Sequence, residues 1–285
     1  MDSIRSIVVH VDASARVDTR LRMAQALASA MQAQLTALYA VTPAAYEVPL
    51  ALADGSSIDM PLLRDVDIDR RNRARAAFDR VVDPGATPAP AWEDAGSAPI
   101  HTAVAARALT ADLLVFGQHD SADPQTASTS DLMASTLIES GTPALVVPHS
   151  GHLDPQALTR SDLCVLLAWK PTREAARAMR AALPWLRRAQ HVHLAVETPA
   201  ERDGAWPGAA SLRAWLALHG VRTGVRDHVV GRASPGELLL SMAADVSADL
   251  LVMGCFGHSR ARELVLGGAS RTVLQSMTLP TLLAH

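Results

Sequence analysis

Several glycines and a serine near the end of the chain have a spacing that would allow them to bind an anion. Gly254 and Gly257 follow a run of apolar residues, and Gly267 and Gly268 precede Ser270. Glycine allows positive φ and lets the backbone approach a ligand closely, and the first amide groups of a helix attract negative charge. The pattern therefore predicts a loop that wraps phosphate groups from two sides. Plain turns at a strand end and a helix start are the alternative interpretation.

Other catalytic and metal-binding patterns are weak. Cys255 lies near His258, but spacing alone shows neither a depressed thiol pKa nor a positioned base. His191 and His193 alternate along a predicted strand without a third ligand nearby in sequence. The sequence contains no Walker A loop, no Gly-x-Gly-x-x-Gly fingerprint and no Gly-x-Ser-x-Gly elbow. We assign no catalytic residue and no metal ligand.

Composition and charge narrow the class of protein. The 285 residues are 49% apolar and 19% charged, with a net charge of −3. That apolar fraction supports packed cores, whereas no apolar run is long enough for a transmembrane helix. The first residues do not resemble a secretory signal, two cysteines cannot form a disulfide framework, and no basic face predicts nucleic-acid binding. We expect a cytoplasmic protein without nucleic-acid or membrane partners.

The sequence repeats itself. Residues Ala111–Gly117 recur as Ala248–Gly254, and Ile7–Asp12 match Val165–Lys170. The stretch between these landmarks is 21 residues longer in the first half, and we place the extra residues within 43–64. A repeat of this length indicates two homologous domains rather than one large one.

We predict domains at residues 1–150 and 158–285, joined by a polar linker. In the second domain, apolar patterns predict strands at 163–169, 191–197, 224–230, 249–253 and 281–284, and helices at 171–188, 208–219, 234–244 and 269–276. Five strands alternating with helices indicate a doubly wound parallel α/β sheet covered on both faces. Ligands of such sheets bind beyond the carboxyl ends of the strands. The glycine-rich segment lies there, directly after the fourth strand.

The whole chain resembles a tandem universal stress protein, with two such domains fused. The nucleotide-binding version of this family has glycine, two residues, glycine, nine residues, glycine and then serine or threonine. Gly254, Gly257 and Gly267 match these positions, whereas Gly268 lacks the hydroxyl and Ser270 supplies one two residues on. The resemblance implies two five-stranded domains with flavodoxin-like layering. Their last strands would pair antiparallel, which makes one chain a pseudo-dimer.

The family also places an aspartate at the end of the first strand, beside the nucleoside. In the second half this position is Lys170, which cannot accept a hydrogen bond from an adenine amino group. It could still reach a ribose hydroxyl, a ring nitrogen or a phosphate, and a solvated surface lysine is the alternative. The resemblance implies these nucleotide-binding residues: Ala168, Lys170, Val196, Met253, Gly254, Gly257, His258, Gly267, Gly268, Ala269 and Ser270.

The first half departs from the family pattern in the opposite way. Asp12 matches the family aspartate, whereas Asp120, Ser130 and Asp131 stand where the second half has loop glycines. Together with Asp123, these carboxylates make the loop acidic, and carboxylates repel phosphate. We therefore expect a degenerate copy that does not bind nucleotide, with Asp131 as the N-cap of the following helix.

The resemblance implies a stress-associated regulatory protein that binds ATP or another adenine nucleotide in its C-terminal half. Mg²⁺ would arrive with the phosphates rather than through a protein site, and a homodimer of chains and further protein partners are compatible with this function. The alternative is a scaffold protein that has lost nucleotide binding, which the departures at Lys170 and Gly268 favour. Slow nucleotide hydrolysis ranks last, because no general base is identifiable.

Overall fold

Strands and helices alternate along both halves of the chain. The computed structural model describes residues 4–47, 60–96, 98–151, 153–197, 209–221, 225–230, 235–255 and 268–285. The N-terminal half contains β1 (Ser6–Val11), α1 (Val17–Met31), β2 (Gln34–Tyr39), α2 (Ala44–Glu47), α3 (Met60–Val81), β3 (Ala91–Asp94), α4 (Ile100–Ala108), β4 (Leu113–Gly117), α5 (Thr129–Ser140) and β5 (Ala144–Val147). The C-terminal half contains β6 (Cys164–Trp169), α6 (Arg173–Ala181), α7 (Leu183–Leu186), β7 (His191–Glu197), α8 (Ala209–Leu218), β8 (Val225–Val230), α9 (Pro235–Asp245), β9 (Leu250–Gly254), α10 (Gly268–Ser276) and β10 (Thr281–Ala284).

The ten strands of the described residues form one sheet, in the order β3-β2-β1-β4-β5-β10-β9-β6-β7-β8. Within each half, neighbouring strands are parallel. The halves meet at β5 and β10, which pair antiparallel with Leu145 opposite Leu282. The predicted fold is therefore confirmed: two doubly wound α/β halves are joined through their last strands as a pseudo-dimer.

Both faces of the sheet are buried, because helices cover each side. Val9 and Leu167 point to the face that carries α1 and α6. Their neighbours Val8 and Leu166 point to the opposite face, which carries α5 and α10. Full burial of one such aliphatic side chain contributes about 1.5–3 kcal/mol to stability. The near-continuous apolar runs of the strands thus follow from burial on two faces.

One predicted helix is wrong. The sequence predicts a single helix over 171–188, whereas α6 ends at Ala181 and α7 begins at Leu183. Pro184 explains the break, because proline has no N–H to donate to the carbonyl of Arg180 and its ring crowds that carbonyl. The short helix α7 still places the fully buried Trp185 in the core.

The connection between the halves is packed against the core. A 3₁₀ turn at Ala157–Thr159 follows the polar linker. Its Leu158 is fully buried and belongs to the same apolar cluster as the inner faces of α1 and α6. The turn that follows the linker therefore contributes, through Leu158, to the core shared by the two halves.

Part of the extra stretch predicted within 43–64 is helical. It includes α2 and the beginning of α3, while residues 48–59 lie outside the described ranges. α3 has 22 residues and a largely charged surface. In the described part of the chain, no helix combines the length and apolar character needed to cross a membrane.

Candidate functional site

The candidate residues that the structure describes lie at the edge of the C-terminal half where the parallel strands have their carboxyl ends. Lys170 follows β6, Val196 lies near the end of β7, and Met253 lies near the end of β9. These strands are parallel, so their carboxyl ends share one edge. Because α10 connects β9 to the parallel strand β10, its first residue, Gly268, lies at the same edge. The predicted residues Gly257, His258 and Gly267 lie outside the described residues.

The candidate residues differ in exposure. Met253 and Ser270 are buried, and Lys170 is exposed. Ala168, Val196, Gly254 and Ala269 are half-buried. Gly268 is exposed, and a Cβ added there would meet no atom of the described residues within 4 Å. The first amides of a helix such as α10 suit an anion such as phosphate.

Gly254 has a packing role that its sequence context does not reveal. A Cβ added there would lie 2.6 Å from the carbonyl carbon of Glu174 and 2.9 Å from Cα of Ala175. The first turn of α6 thus packs directly on this glycine. The N-cap of this helix is Thr172, which accepts a hydrogen bond from the backbone N–H of Ala175 at 3.3 Å. Only glycine permits this approach of helix and strand.

Glu174 brings a buried carboxylate to this part of the edge. Only 4% of the residue is exposed, and its carboxylate pairs with the guanidinium of Arg173. Burial alone would raise the pKa of Glu174, but hydrogen bonds from Arg173 and Thr172 outweigh burial and lower it. Glu174 is therefore ionised at neutral pH. A carboxylate here disfavours a phosphate placed against Gly254 and leaves the beginning of α10 as the better phosphate position.

Cys255 has no nucleophilic character in this environment. Its side chain is buried, and Sγ donates to the carbonyl of Ala284 at 3.4 Å. Burial, followed by the charge of Glu174, raises the pKa of the Cys255 thiol far above its usual range. A thiol that stays protonated is a poor nucleophile, so the packing role is the better interpretation.

The equivalent edge of the N-terminal half is closed by an internal ion pair. The guanidinium of Arg20 donates to the carboxylate of Asp12 at 2.7 Å, and both side chains are almost fully buried. The same guanidinium fills the space beside Gly117, and Ser14 donates both its N–H and its hydroxyl to Asp12. These hydrogen bonds all go to Oδ1 of Asp12, whereas its buried Oδ2 has no hydrogen-bond partner among the described residues.

The charges around this pair hold it in its ionised form. Burial would raise the pKa of Asp12, but the charge of Arg20 and hydrogen bonds from Ser14 and Arg20 lower it overall. Burial lowers the pKa of His10, and the effect exceeds the opposing influence of Asp12. His10 is therefore neutral, with Nε2–H donating to the carbonyl of Ala40 at 2.7 Å.

The predicted acidic loop of the N-terminal half uses its carboxylates locally. Asp123 accepts the backbone N–H of Ala15 at 2.8 Å and caps the 3₁₀ turn that follows it. Asp120 accepts the backbone N–H of Ala122 at 2.9 Å. A pocket beside these residues and Arg20 has room for about one water molecule.

The predicted capping role of Asp131 is wrong. Ser128 occupies the N-cap position of α5, and Asp131 lies within the first turn of the helix. The helix begins earlier than expected because Thr129 and Ser130 continue its backbone conformation. Asp131 there still interacts favourably with the helix dipole.

Gln118 connects the two halves at the closed edge. Its position corresponds to Cys255 in the repeat. The side-chain amide of Gln118 donates to the carbonyl of Leu274 in α10 at 2.9 Å, and its oxygen accepts the N–H of His149 at 3.0 Å. Leu274 lies in the last turn of α10, where carbonyls lack partners within the helix. Gln118 thus caps the helix whose other end is the candidate phosphate position.

Comparison with known proteins agrees with the fold. Residues 164–285 match the universal stress protein family. A universal stress protein from Archaeoglobus fulgidus has a similar structure, with 15% identity, coverage of 98% of this chain and 96% of that one, and a TM-score of 0.63. A functionally unknown protein from Pseudomonas aeruginosa covers 99% of this chain and 93% of its own, with 17% identity and a TM-score of 0.59. No curated protein matches the sequence.

The strand order and the parallel strands of each half define a tandem α/β protein. Residues 164–285 match the universal stress protein family model, so the predicted family is confirmed for the C-terminal half. The similarity over the whole chain confirms the fold of both halves.

Proposed function

We propose that the protein is a cytoplasmic stress-associated regulator that binds ATP or another adenine nucleotide at the carboxyl edge of its C-terminal half. Residues 1–150 and 158–285 act as two domains, of which only the second binds ligand. Mg²⁺ accompanies the phosphates, since hard cations retain water and phosphate ligands.

The contrast between the two edges carries this proposal. Asp12 and Arg20 neutralise each other inside the N-terminal half, whereas the exposed Lys170 stands at the position of Asp12. Helix α10, which begins at Gly268, adds a helix start that can bind phosphate oxygens. The C-terminal edge therefore carries a positive charge, and among the described residues no ion pair like that of Asp12 and Arg20 fills it.

Each candidate residue has a distinct role in this proposal. The first amides of α10, at Gly268 to Ser270, hold phosphate, and the hydroxyl of Ser270 donates to it. Lys170 contacts ribose or phosphate. Val196 and Met253 supply apolar contact to the base, with Ala168 leaving space beside them. Gly254, Gly257, His258 and Gly267 complete the loop around the phosphates.

Ligand binding would regulate by shifting the protein between conformers. A nucleotide that binds one conformer better than another shifts the population towards it. The nucleotide-bound conformer would then be the one that partner proteins recognise.

A nucleotide-free scaffold is the second candidate function. The packing of Gly254 against Glu174 and Ala175 favours it, because this glycine then has a purely structural reason. The buried carboxylate of Glu174 also reduces the positive potential of the edge.

Variants at Gly268 separate these two functions. Gly268→Asp places a carboxylate where phosphate is expected, without a steric clash, and an acid in a first helical turn keeps the helix stable. We expect ATP affinity, measured by isothermal titration calorimetry with Mg²⁺, to fall by about tenfold or more.

Gly268→Ser is the matched control, because it adds a hydroxyl without charge. It should bind ATP at least as tightly as the wild type, with an unchanged melting temperature. Equal binding by the aspartate variant would place the phosphates elsewhere, and absence of heat for all three proteins would favour the scaffold.

A further inference from the structure

The first turns of helices α9 and α10 pack directly against each other. A Cβ added to the buried Gly236 of α9 would lie 2.6 Å from Cβ of Thr272, 2.8 Å from the carbonyl oxygen of Ala269 and 3.1 Å from Cγ2 of Thr272. Carbon atoms in favourable contact lie about 3.5–4.0 Å apart. Any side chain at position 236 would therefore require the two helices to separate by about 1 Å.

Thr272 also makes a hydrogen bond within the first turn of α10. Its hydroxyl donates to the carbonyl of Gly268 at 2.9 Å. Gly236 thus packs against the side chain that holds this carbonyl, and against the next carbonyl, that of Ala269. The first two carbonyls of α10 are therefore both held in place, one by a hydrogen bond and the other by packing on α9.

A carbonyl that is held in place also fixes the amide that follows it. Because the peptide bond is planar, the carbonyl of Gly268 turns together with the N–H of Ala269, and the carbonyl of Ala269 turns together with the N–H of Ser270. N–H groups in the first turn of a helix have no partner within the helix. These two are among the amides that hold phosphate in the proposed function.

The equivalent helices of the N-terminal half are joined in a different way. Ser135 of α5 occupies the position of Thr272 in the repeat. Its hydroxyl donates to the carbonyl of Leu132 at 3.0 Å and accepts a hydrogen bond from Nδ1 of His101 in α4 at 2.8 Å. Two side chains thus connect these helices, and α4 contains no glycine. The close approach seen at Gly236 is therefore specific to the C-terminal half.

We propose that Gly236 and Thr272 are positioning residues for the phosphates of the nucleotide. This role rests on the proposed function and assigns its phosphate affinity to two residues that act through the backbone. Groups that bind a ligand must lie within about 0.5 Å of their productive positions. The amides of Ala269 and Ser270 meet this condition only while α10 begins close against α9.

Crowding between the two helices would displace the start of α10 before it displaced α9. α9 is anchored by Leu239, Met242 and Ala243, which are buried in the core. The last turn of α10 is held by Gln118. By contrast, Gly268 is exposed, and a Cβ added there would meet no atom of the described residues within 4 Å. The phosphate-binding end of α10 is thus the least restrained part of this contact.

The test uses the full-length protein and the variant Gly236→Ala. Isothermal titration calorimetry with Mg²⁺ should give a dissociation constant for ATP about tenfold higher than that of the wild type, as expected when a hydrogen bond to a charged group is weakened. The dissociation constant for adenosine should change by less than about twofold, because adenosine has no phosphate. Equal losses for ATP and adenosine would overturn the positioning role, since a general loss of structure affects both ligands.

The matched control is Gly117→Ala, the same substitution at the end of β4, where the added Cβ meets the side chain of Arg20 in the N-terminal half. It should change the affinity for ATP by less than about twofold. Circular dichroism verifies that each variant is folded. An equal loss of ATP affinity in the two glycine variants would overturn the proposal.

Thr272→Val gives a second test that does not crowd the helices. Valine keeps a branched side chain beside Gly236 and removes the hydroxyl that bonds to Gly268. Affinity for ATP should fall by about fivefold, with affinity for adenosine unchanged, and this variant decides the question if Gly236→Ala does not fold. Wild-type ATP affinity in Thr272→Val would overturn the positioning role alone. Absence of ATP binding by the wild type would overturn the proposed function and this role with it.

Discussion

The carboxyl edges of the two halves have the same backbone fold, but their charged side chains have different surroundings. In the N-terminal half, Asp12 and Arg20 form a buried pair that fills the edge. In the C-terminal half, Lys170 is exposed at the equivalent position, and the first turn of α6 packs on Gly254 by its backbone. The charged residues of the N-terminal edge therefore form a buried ion pair that stabilises the fold, whereas the C-terminal edge has a charged residue at the surface. The same fold can thus be specialised by a few residues at strand ends.

The largest difference in stability is expected between alanine variants of the two equivalent residues that follow the first strand of each half. Asp12→Ala leaves the buried guanidinium of Arg20 without its counter-charge and should lower the free energy of unfolding by about 3–5 kcal/mol. Lys170→Ala should change it by less than about 0.5 kcal/mol, because the side chain is exposed. Urea denaturation followed by circular dichroism measures both. Similar losses for the two variants would contradict the comparison.

Substituting alanine for the glycine that ends β9 should destabilise the protein more than the same substitution at the end of β4. Gly254→Ala forces a methyl group against the backbone of α6, and such overpacking costs about 1–3 kcal/mol. Gly117→Ala meets the far end of the Arg20 side chain, which can move more readily than a backbone. We expect the smaller loss for Gly117→Ala in thermal unfolding. The reverse order would show that the Arg20 side chain is the more rigid neighbour.

Loss of Gln118 should loosen the contact between the halves. Gln118→Leu leaves the N–H of His149 and the carbonyl of Leu274 without their partner, and we expect a loss of about 1–3 kcal/mol. Gln25→Leu is the control, because Gln25 accepts a hydrogen bond from Asp83 at an exposed site. Hydrogen exchange of α10 amides should rise only in the Gln118 variant. An equal rise in both variants would exclude a specific cap.

The smallest expected effect concerns pH. Burial keeps the pKa of His10 below 6.5 in the folded protein, so the unfolded chain binds a proton that the folded chain does not. Stability from neutral His10 is therefore present above pH 6.5 and is lost as pH falls through its folded pKa. His10→Gln should flatten this decline, whereas His101→Gln, at an exposed position, should not. Denaturation at pH 7 and about pH 5.5 compares the slopes, and equal slopes in His10→Gln and wild type would contradict the assignment.

The fold could be predicted closely because burial on two faces leaves a clear pattern. Strands of the C-terminal half begin and end within one residue of prediction. Local chemistry was harder to infer. Pro184 divides a helix that the apolar spacing alone extends, and Asp131 lies past the N-cap because Ser128 already takes that position.

The buried Arg20 is the functional residue that sequence reasoning missed. Its position with Val17 and Leu21 puts it on the apolar face of α1, and that spacing was the available signal. An arginine on such a face predicts a buried partner, here Asp12. The contact of Gly254 with α6 left no signal, because it depends on how closely a distant helix approaches.

The most direct test counts nucleotides. Equilibrium dialysis of the wild type against radiolabelled ATP with Mg²⁺ should reach one nucleotide per chain, and Gly268→Asp should need about tenfold or more ATP to reach the same occupancy. That result would agree with one closed and one open edge. Two nucleotides per chain would contradict the closure of the N-terminal edge by Asp12 and Arg20, and none would contradict an open C-terminal edge.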